Sequence, residues 1–560
     1  MNNFNFNLRL FTLLLLVLGM GCKPQSGQNV AAKVVYHAQI YTVNAKQATA
    51  EAMAIGEDGK ILQVGTTDEI LKAYPNAEKI DAQGKTVIPG LIDAHAHLMG
   101  LGTSLLNADL VGTKSVAEVI ERLKAFEKNL PEGAWLIGRG WDQNDWQVKK
   151  FPTAKDLDEA FPKRMVWLRR IDGHAAWGNS ATLSLLGETF SKMPDPSGGK
   201  VMRDGVGNPT GVLVDNAMDL IDTKEPPMTP ELLQKAMTLA IDKCKSLGLT
   251  GVHDAGVDMA TIKRYEKAIA DDRFDLRVYG MIGGAGEALD YIIKNGFIMD
   301  EGNKLTVRSL KLYADGALGS RGAAMLQPYS DDPHNHGLMT TKKEDFVPIV
   351  KRAMQAKLQV GTHAIGDAGN RMVMDGYEEA IKATSNQNGR HRVEHAQVVS
   401  LDDIPRFKQM GIIASMQPTH ATSDMPWAED RVGKERIKGA YAWRRFLDQG
   451  TVLAFGSDFP VEEVNPLLGF YAAITRQDAD GNPPVGWLPD QILTRAETLK
   501  AFTLDAAYAA FQEKELGSIE VGKWADFVIF DKNIMTVSPK EILSTKVVAT
   551  YLGGKKVFGK

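Results

Sequence analysis

Short apolar runs alternate with amphipathic stretches of near-helical period over most of the chain. Strand-like runs fall at 87–96, 248–254, 276–282, 307–313, 359–363, 392–396, 412–416 and 452–457, with helical segments such as 342–356, 370–383 and 401–410 between the later ones. Strands regularly separated by helices predict parallel β/α architecture. Eight such units are the number that closes a (β/α)8 TIM-type barrel, here expected over residues 89–510. The first two strands are unusually far apart, which predicts a long insertion at about 98–247. It contains a helix at 116–128, strand-like runs at 134–137 and 165–169, and a Pro/Gly-rich patch at 194–211. A late helix at 494–512 opens with Thr494 and Glu497 at capping-box spacing.

The two ends have a different texture. Strand-like runs at 34–43, 52–55 and 61–64, with a hairpin corner at Glu57-Asp58-Gly59, resemble in style those at 517–519, 527–531, 546–551 and 556–558. Segments 33–88 and 511–560 are therefore expected to form one small β-sandwich domain, split by everything between them.

At 560 residues the chain exceeds one compact core, and a net charge of −4 gives no footing to a nucleic-acid binder. Its two cysteines exclude a disulfide framework. Cys244 falls in the helical run 232–247 and reads as a small core residue. Cys22 follows Arg9, the apolar run 10–18 and Gly19-Met20-Gly21. That run is too short to span a bilayer of ~30 Å and reads as an export signal over 1–21. Small residues ahead of Cys22 resemble a bacterial lipoprotein box, imperfect because Leu18 lies one position too far away. The expectation is an exported lipoprotein anchored at Cys22, with 22–32 as a polar tether; plain secretion and a retained helix are the alternatives.

Candidate chemistry sits where strands end, the functional face of a β/α barrel. In Asp93-Ala94-His95-Ala96-His97, residues two apart face the same way, so two imidazoles point together, as a divalent metal would require. Lys311, His363, His395 and Asp458 close four later strands. Any one of them alone is an ordinary buried polar residue; five strands delivering such groups together point to a metal site. Around them lie His174 in the insertion, Asp315 and Arg321 on the loop after Lys311, and His420 after the seventh strand, as candidates to hold substrate. Trp141, Trp146, Trp177, Trp427 and Trp487 are candidates for an apolar pocket, Trp141 foremost. His253 reads as packing, and His334 and His336 as solvated.

The ordered set His-x-His, Lys, His, His, Asp resembles the amidohydrolase superfamily. The passages 87–97, 172–180, 311–321, 363–367, 392–397, 456–461 and 517–526 resemble its YtcJ-like branch, amidohydrolase family 3, over residues 33–560. The resemblance implies that His95 and His97 hold one metal, His363 and His395 a second, and that Lys311 is carboxylated to bridge them; a single ion remains open. An ordinary lysine amine, pKa about 10.4, is a cation that repels metal, whereas a carbamate supplies two anionic oxygens. Zinc is the leading candidate for an imidazole-rich site, with nickel, iron and manganese open. Asp458 is then expected to move the proton from water to the leaving amine, with His174 on the substrate or the oxyanion. The expected function is hydrolysis of a non-peptide C–N bond in a small molecule. The alternatives are a catalytically silent surface protein that binds or regulates through the same fold, and deamination or ester cleavage at the same site. A homo-oligomer stays open, since the insertion could cover a partner's site.

Overall fold

The computed structural model describes residues 31–559. The expected signal segment and all but the end of the tether lie outside the described residues. The tether ends earlier than expected, because Ala31 and Ala32 already belong to a strand, Ala31–Tyr36.

Eight parallel strands form a nearly closed barrel. They are β1 (Leu91–Ala96), β2 (Leu249–Val257), β3 (Arg277–Gly283), β4 (Leu305–Tyr313), β5 (Gln359–Ala364), β6 (Arg392–His395), β7 (Ile413–Met416) and β8 (Leu453–Phe455). Each pairs in parallel with the next in sequence. β1 and β5 to β8 are buried along their whole length, as expected for strands covered on both faces. At the seam between β8 and β1, the Asp93 carboxylate accepts the Ser457 N–H at 3.0 Å and its hydroxyl at 2.6 Å, and the Asp458 N–H donates to the His95 carbonyl at 2.8 Å.

The single strand expected over 87–96 is two strands in two different sheets. Thr86–Pro89 pairs with the C-terminal Phe527–Phe530, and β1 begins only after Gly90. A side chain at Gly90 would place Cβ 2.1 Å from Thr250 Oγ1, so the chain can cross from one sheet to the other there only as glycine. The run 34–43 divides likewise, Ala31–Tyr36 joining a four-stranded sheet and Gln39–Tyr41 a six-stranded one. That second sheet takes three strands from each end of the chain. Met53, Ile55, Val87, Phe527, Ile529 and Tyr551 share one apolar cluster between the two sheets.

Between β1 and β2 a further six-stranded sheet is built from Ala108–Asp109, Leu136–Trp141, Val166–Arg170, Ala175–Gly178, Gly199–Arg203 and Pro209–Asp215. The helix Pro230–Ser246 then leads into β2 and buries Cys244 in the barrel's own core. The late helix is broken in two, Arg495–Ala501 and Leu504–Ala509. Among the described residues no helix is long and apolar enough to cross a membrane.

Candidate metal centre

His95, 0% exposed, projects from the end of β1, and His97 follows where the strand gives way to the helix Leu98–Ser104. Their Nε2 atoms lie 3.5 and 3.2 Å from one Asp458 oxygen, and His420 Nε2 lies 3.7 Å from the other. The His395 ring is 4.9 Å from that of His95, 4.6 Å from that of His363 and 5.8 Å from that of His420. Two sets of three, His95–His97–Asp458 and His395–His420–Asp458, bring their donor atoms within 4.8 Å of one another. Backbone geometry aims these groups. His395 and Asp458 have φ of 72° and 64°, left-handed values that a non-glycine residue adopts only at a cost of roughly 1–3 kcal/mol.

Burial acts on imidazoles of this cluster and lowers His420 among them. Burial pushes His95, His363 and His395 well below the ordinary histidine range, helped by Lys311 beside each of them. They are therefore neutral and keep a lone pair for a cation. His95 gives its Nδ1 proton to Glu394 at 2.6 Å, and His395 faces Gln417 Oε1 with Nδ1 at 2.9 Å, so each turns Nε2 inward. Asp458 behaves oppositely. Burial alone would raise its pKa, but the close imidazoles of His97, His95 and His420 outweigh it and hold the carboxyl below its usual range.

The donor set fits a divalent metal. His95 Nε2, His420 Nε2, Asp458 Oδ1 and the Nζ of Lys311 are all buried without a hydrogen-bond partner. Orphaned atoms gathered around Asp458, with the Lys311 amine on a cavity that Asp458 also lines, would be costly unless a ligand satisfied them. Lys311, 1% exposed on β4, rests its amine 4.0 Å over the Tyr313 ring. His363, placed with His395 by sequence, lies 5.2 Å ring to ring from His174 and 3.4 Å by Nε2 from the Gly316 carbonyl.

Of three expected substrate contacts, Arg321 and Trp141 lie off both cavities, and Asp315 borders the larger one while serving the framework. Asp315 spends its carboxylate on the backbone N–H groups of Ala324, Ile365 and Gly366, at 2.9, 3.0 and 2.8 Å, and thereby folds its own loop. Arg321 pairs with Asp331, at 2.9 Å, rather than with Asp315. Trp141 is fully buried, bonds the Leu168 carbonyl, and packs on Trp146 and Trp177 in the core of the sheet between β1 and β2. Trp487 packs on Tyr441, and only Trp427 of the five tryptophans borders the cavity. His420, expected at the substrate, stands among the candidate ligands.

Sequence reasoning missed the groups that hold the ligands. Glu394 orients His95 and is itself paired with the buried Arg392 at 2.7 Å. Arg392 also donates to His253 Nδ1 at 2.8 Å, so His253 is part of this network and not inert packing. Both Arg392 and Glu394 sit in the run that carries His395, and their alternation along a strand was the available signal. His174 has a partner too: Asp215 accepts from its Nδ1 at 2.7 Å, and although burial lowers the imidazole pKa, this bond together with the nearby carboxylates of Asp215, Asp172 and Asp458 raises it above its ordinary value. Two cavities, of 1310 and 900 Å³, meet at the site, and His174, His363, His395 and Asp458 line both. Met99, Trp135, Met218, Pro226 and Ile349 border the larger; Arg170, Asp424, Trp427 and Glu462 border the smaller.

Comparison with known proteins agrees with this geometry. The amidohydrolase family model matches residues 78–558. The protein YtcJ of Bacillus subtilis (strain 168) is 34% identical, the match covering 94% of this chain and 100% of that one. The N-substituted formamide deformylase of Arthrobacter pascens is 28% identical over 93% of this chain and 97% of its own. Among solved structures, a metal-dependent hydrolase from Pyrococcus horikoshii OT3 superposes with a TM-score of 0.73 at 28% identity, covering 90% of this chain and 99% of that one.

Proposed function

From the premise that the chain belongs to the amidohydrolase family and is a hydrolase, we propose that it cleaves a non-peptide C–N bond of a small molecule, an amide, formamide, carbamate or cyclic amide, to an acid and an amine. The observation that carries this reading is the convergence of His95, His97, His395 and His420 upon the buried Asp458 at the strand ends, with His95 Nε2, His420 Nε2 and Asp458 Oδ1 unpartnered, and Lys311, its Nζ unpartnered too, lining a cavity that Asp458 also lines. His95, His97, His363, His395 and Lys311 would hold the metal, with zinc favoured by the neutral imidazoles. For two ions Lys311 would be carboxylated, its neutral amine adding carbon dioxide and losing a proton, so that carbamate oxygens in place of the orphaned nitrogen would supply the anionic ligand. A bound divalent ion supplies Lewis acidity, making water a nucleophile at neutral pH and polarising a carbonyl.

The protein's own part is proton handling and placement. Asp458 takes the proton of the attacking water and returns it to the leaving nitrogen, which cannot depart as an anion. It stands within 3.2 Å of His97 and lines both cavities, so it reaches the water side and the amine side alike. His174 contacts the scissile group from the opposite wall. The end sheets form a β-sandwich domain around the barrel and 98–247 an insertion that roofs the site, a division supported by the separate apolar clusters of each. Export with a lipid on Cys22 is part of the same proposal and is supported by the apolar run and small residues before it; Cys22→Ser should shift the protein from the membrane fraction to the soluble one.

The test of the activity is elemental analysis of the purified protein, then a screen of N-substituted amides and formamides with the parent and Asp458→Asn. The expected result is bound metal in both proteins and a kcat lower by about 10²- to 10⁴-fold in the variant. Equal rates, or a parent without metal, would overturn the reading.

A further inference from the structure

We propose that Asp215 is a positioning residue for the hydrolytic reaction, holding His174 so that Nε2 faces the scissile amide. The inference rests on the functional reading above and adds a residue to it. His174 and Asp215 stand at the ends of adjacent antiparallel strands, Ala175–Gly178 and Pro209–Asp215, and the Asp215 N–H donates to the His174 carbonyl at 2.9 Å. Their side chains meet as well, Nδ1 to Oδ1 at 2.7 Å. An ionised carboxylate can only accept, so Nδ1 carries the proton and Nε2 is the free ring atom. The His174 side chain is 20% exposed and lines both cavities, so the free nitrogen has access to what enters either one. The other edge of the turn is fixed too, because Asp172 Oδ1 accepts the His174 N–H at 3.0 Å.

Asp215 is itself held in a costly state. Its φ is 49°, left-handed for a residue with a side chain, and its Oδ2 is buried without a hydrogen-bond partner. That oxygen is pressed against the barrel loop after β4: a methyl group added at Gly316 or at Gly322 would come within 2.7 Å of it. Backbone strain and an unsatisfied carboxylate oxygen weigh against stability, and such costs concentrate where function maintains them. A purely structural link between the two strands would need only the backbone bond already present. The side chain therefore serves His174, and it sits against the loop that follows the strand carrying Lys311.

The test is a double-mutant cycle on the metal-loaded full chain, with the N-substituted amide or formamide that the parent turns over fastest. Asp215→Asn keeps the shape but loses the ionised acceptor; it should lower kcat by roughly 10- to 100-fold with KM and metal content little changed. In a His174→Gln background the same change should cost less than about twofold, since residues acting as one unit are not additive. ¹⁵N-histidine spectra supply a readout independent of turnover. The signal missing from His174→Gln identifies His174; in the parent it should show Nδ1 protonated, and in Asp215→Asn that preference should be lost. A full additive loss in the double variant, or a His174 tautomer unchanged by Asp215→Asn, would overturn the proposal. A parent that turns over no amide while the spectra behave as expected would instead refute the functional reading and leave the positioning intact.

Discussion

Glu394 carries two loads that pull in one direction. Its Oε2 accepts from His95 Nδ1 and from Arg392, at 2.6 and 2.8 Å, and its Oε1 lies 2.7 Å from the Arg392 Nε, all with side chains 0% exposed. A buried guanidinium stripped of its carboxylate is expensive, about 3–5 kcal/mol, because nothing else there can neutralise it. The same substitution weakens the acceptor that fixes the His95 tautomer, and outer partners of metal ligands are worth about 10- to 100-fold in affinity. Glu394→Gln should therefore bind metal about 10- to 100-fold more weakly in competition with a chelator and, as apoprotein, unfold at lower urea. Unchanged metal affinity with reduced stability would leave Glu394 a counter-ion to Arg392 alone.

Elements were legible where local chemistry decides them. The capping box read from Thr494 and Glu497 is present: the Thr494 hydroxyl accepts the Glu497 N–H at 3.3 Å and the Glu497 carboxylate accepts the Thr494 N–H at 2.8 Å. Arg444 adds an ion pair at 2.7 Å, and with the caps it lowers the Glu497 pKa to about 2 against partial desolvation. A depressed folded-state pKa contributes stability at pH above the ordinary value of about 4.5, and the contribution is lost as pH falls through about 2. Glu497→Gln should thus be less stable than the parent at pH 7, with the difference shrinking between pH 5 and pH 2 in urea titrations; a constant difference would assign the effect to packing. The eight barrel strands were legible for a similar reason, since each is a short apolar run and five of them close on a polar group, and His95 with His97 followed from two-residue alternation. What stayed hidden depends on partners remote in sequence. No pattern in 87–96 shows that its two halves belong to different sheets, because both halves read as buried strand. Trp141 looks the same in sequence whether it lines a pocket or fills a core, and Asp215 lies 41 residues from the histidine it holds.

At the scale of the whole molecule, the barrel and the end sheets are fastened at Asp526. Its carboxylate takes Arg277 at the start of β3 in a two-pronged pair, 2.5 and 2.9 Å, with side chains 4% and 7% exposed. It also accepts the Gly553 N–H at 2.7 Å, while its backbone carbonyl accepts the N–H of Gly90, the residue at which the chain crosses from the end sheet into β1. One residue near the C-terminus thus braces both the barrel wall and the strand that delivers His95. Asp526→Asn leaves Arg277 buried beside a neutral amide and should cost about 3–5 kcal/mol in urea unfolding of the apoprotein. The loss is specific to an unpaired charge, so adding Arg277→Met should recover part of it, as apolar replacement of both partners of a buried pair is often close to neutral. Hydrogen exchange distinguishes a local from a global effect. Because Gly90 leads directly into β1, the amides of 91–96 should lose protection in Asp526→Asn before those of β5 and β6 do; equal loss in all three would mean that the fastening acts on the fold as a whole and not on the strand that carries the metal ligands.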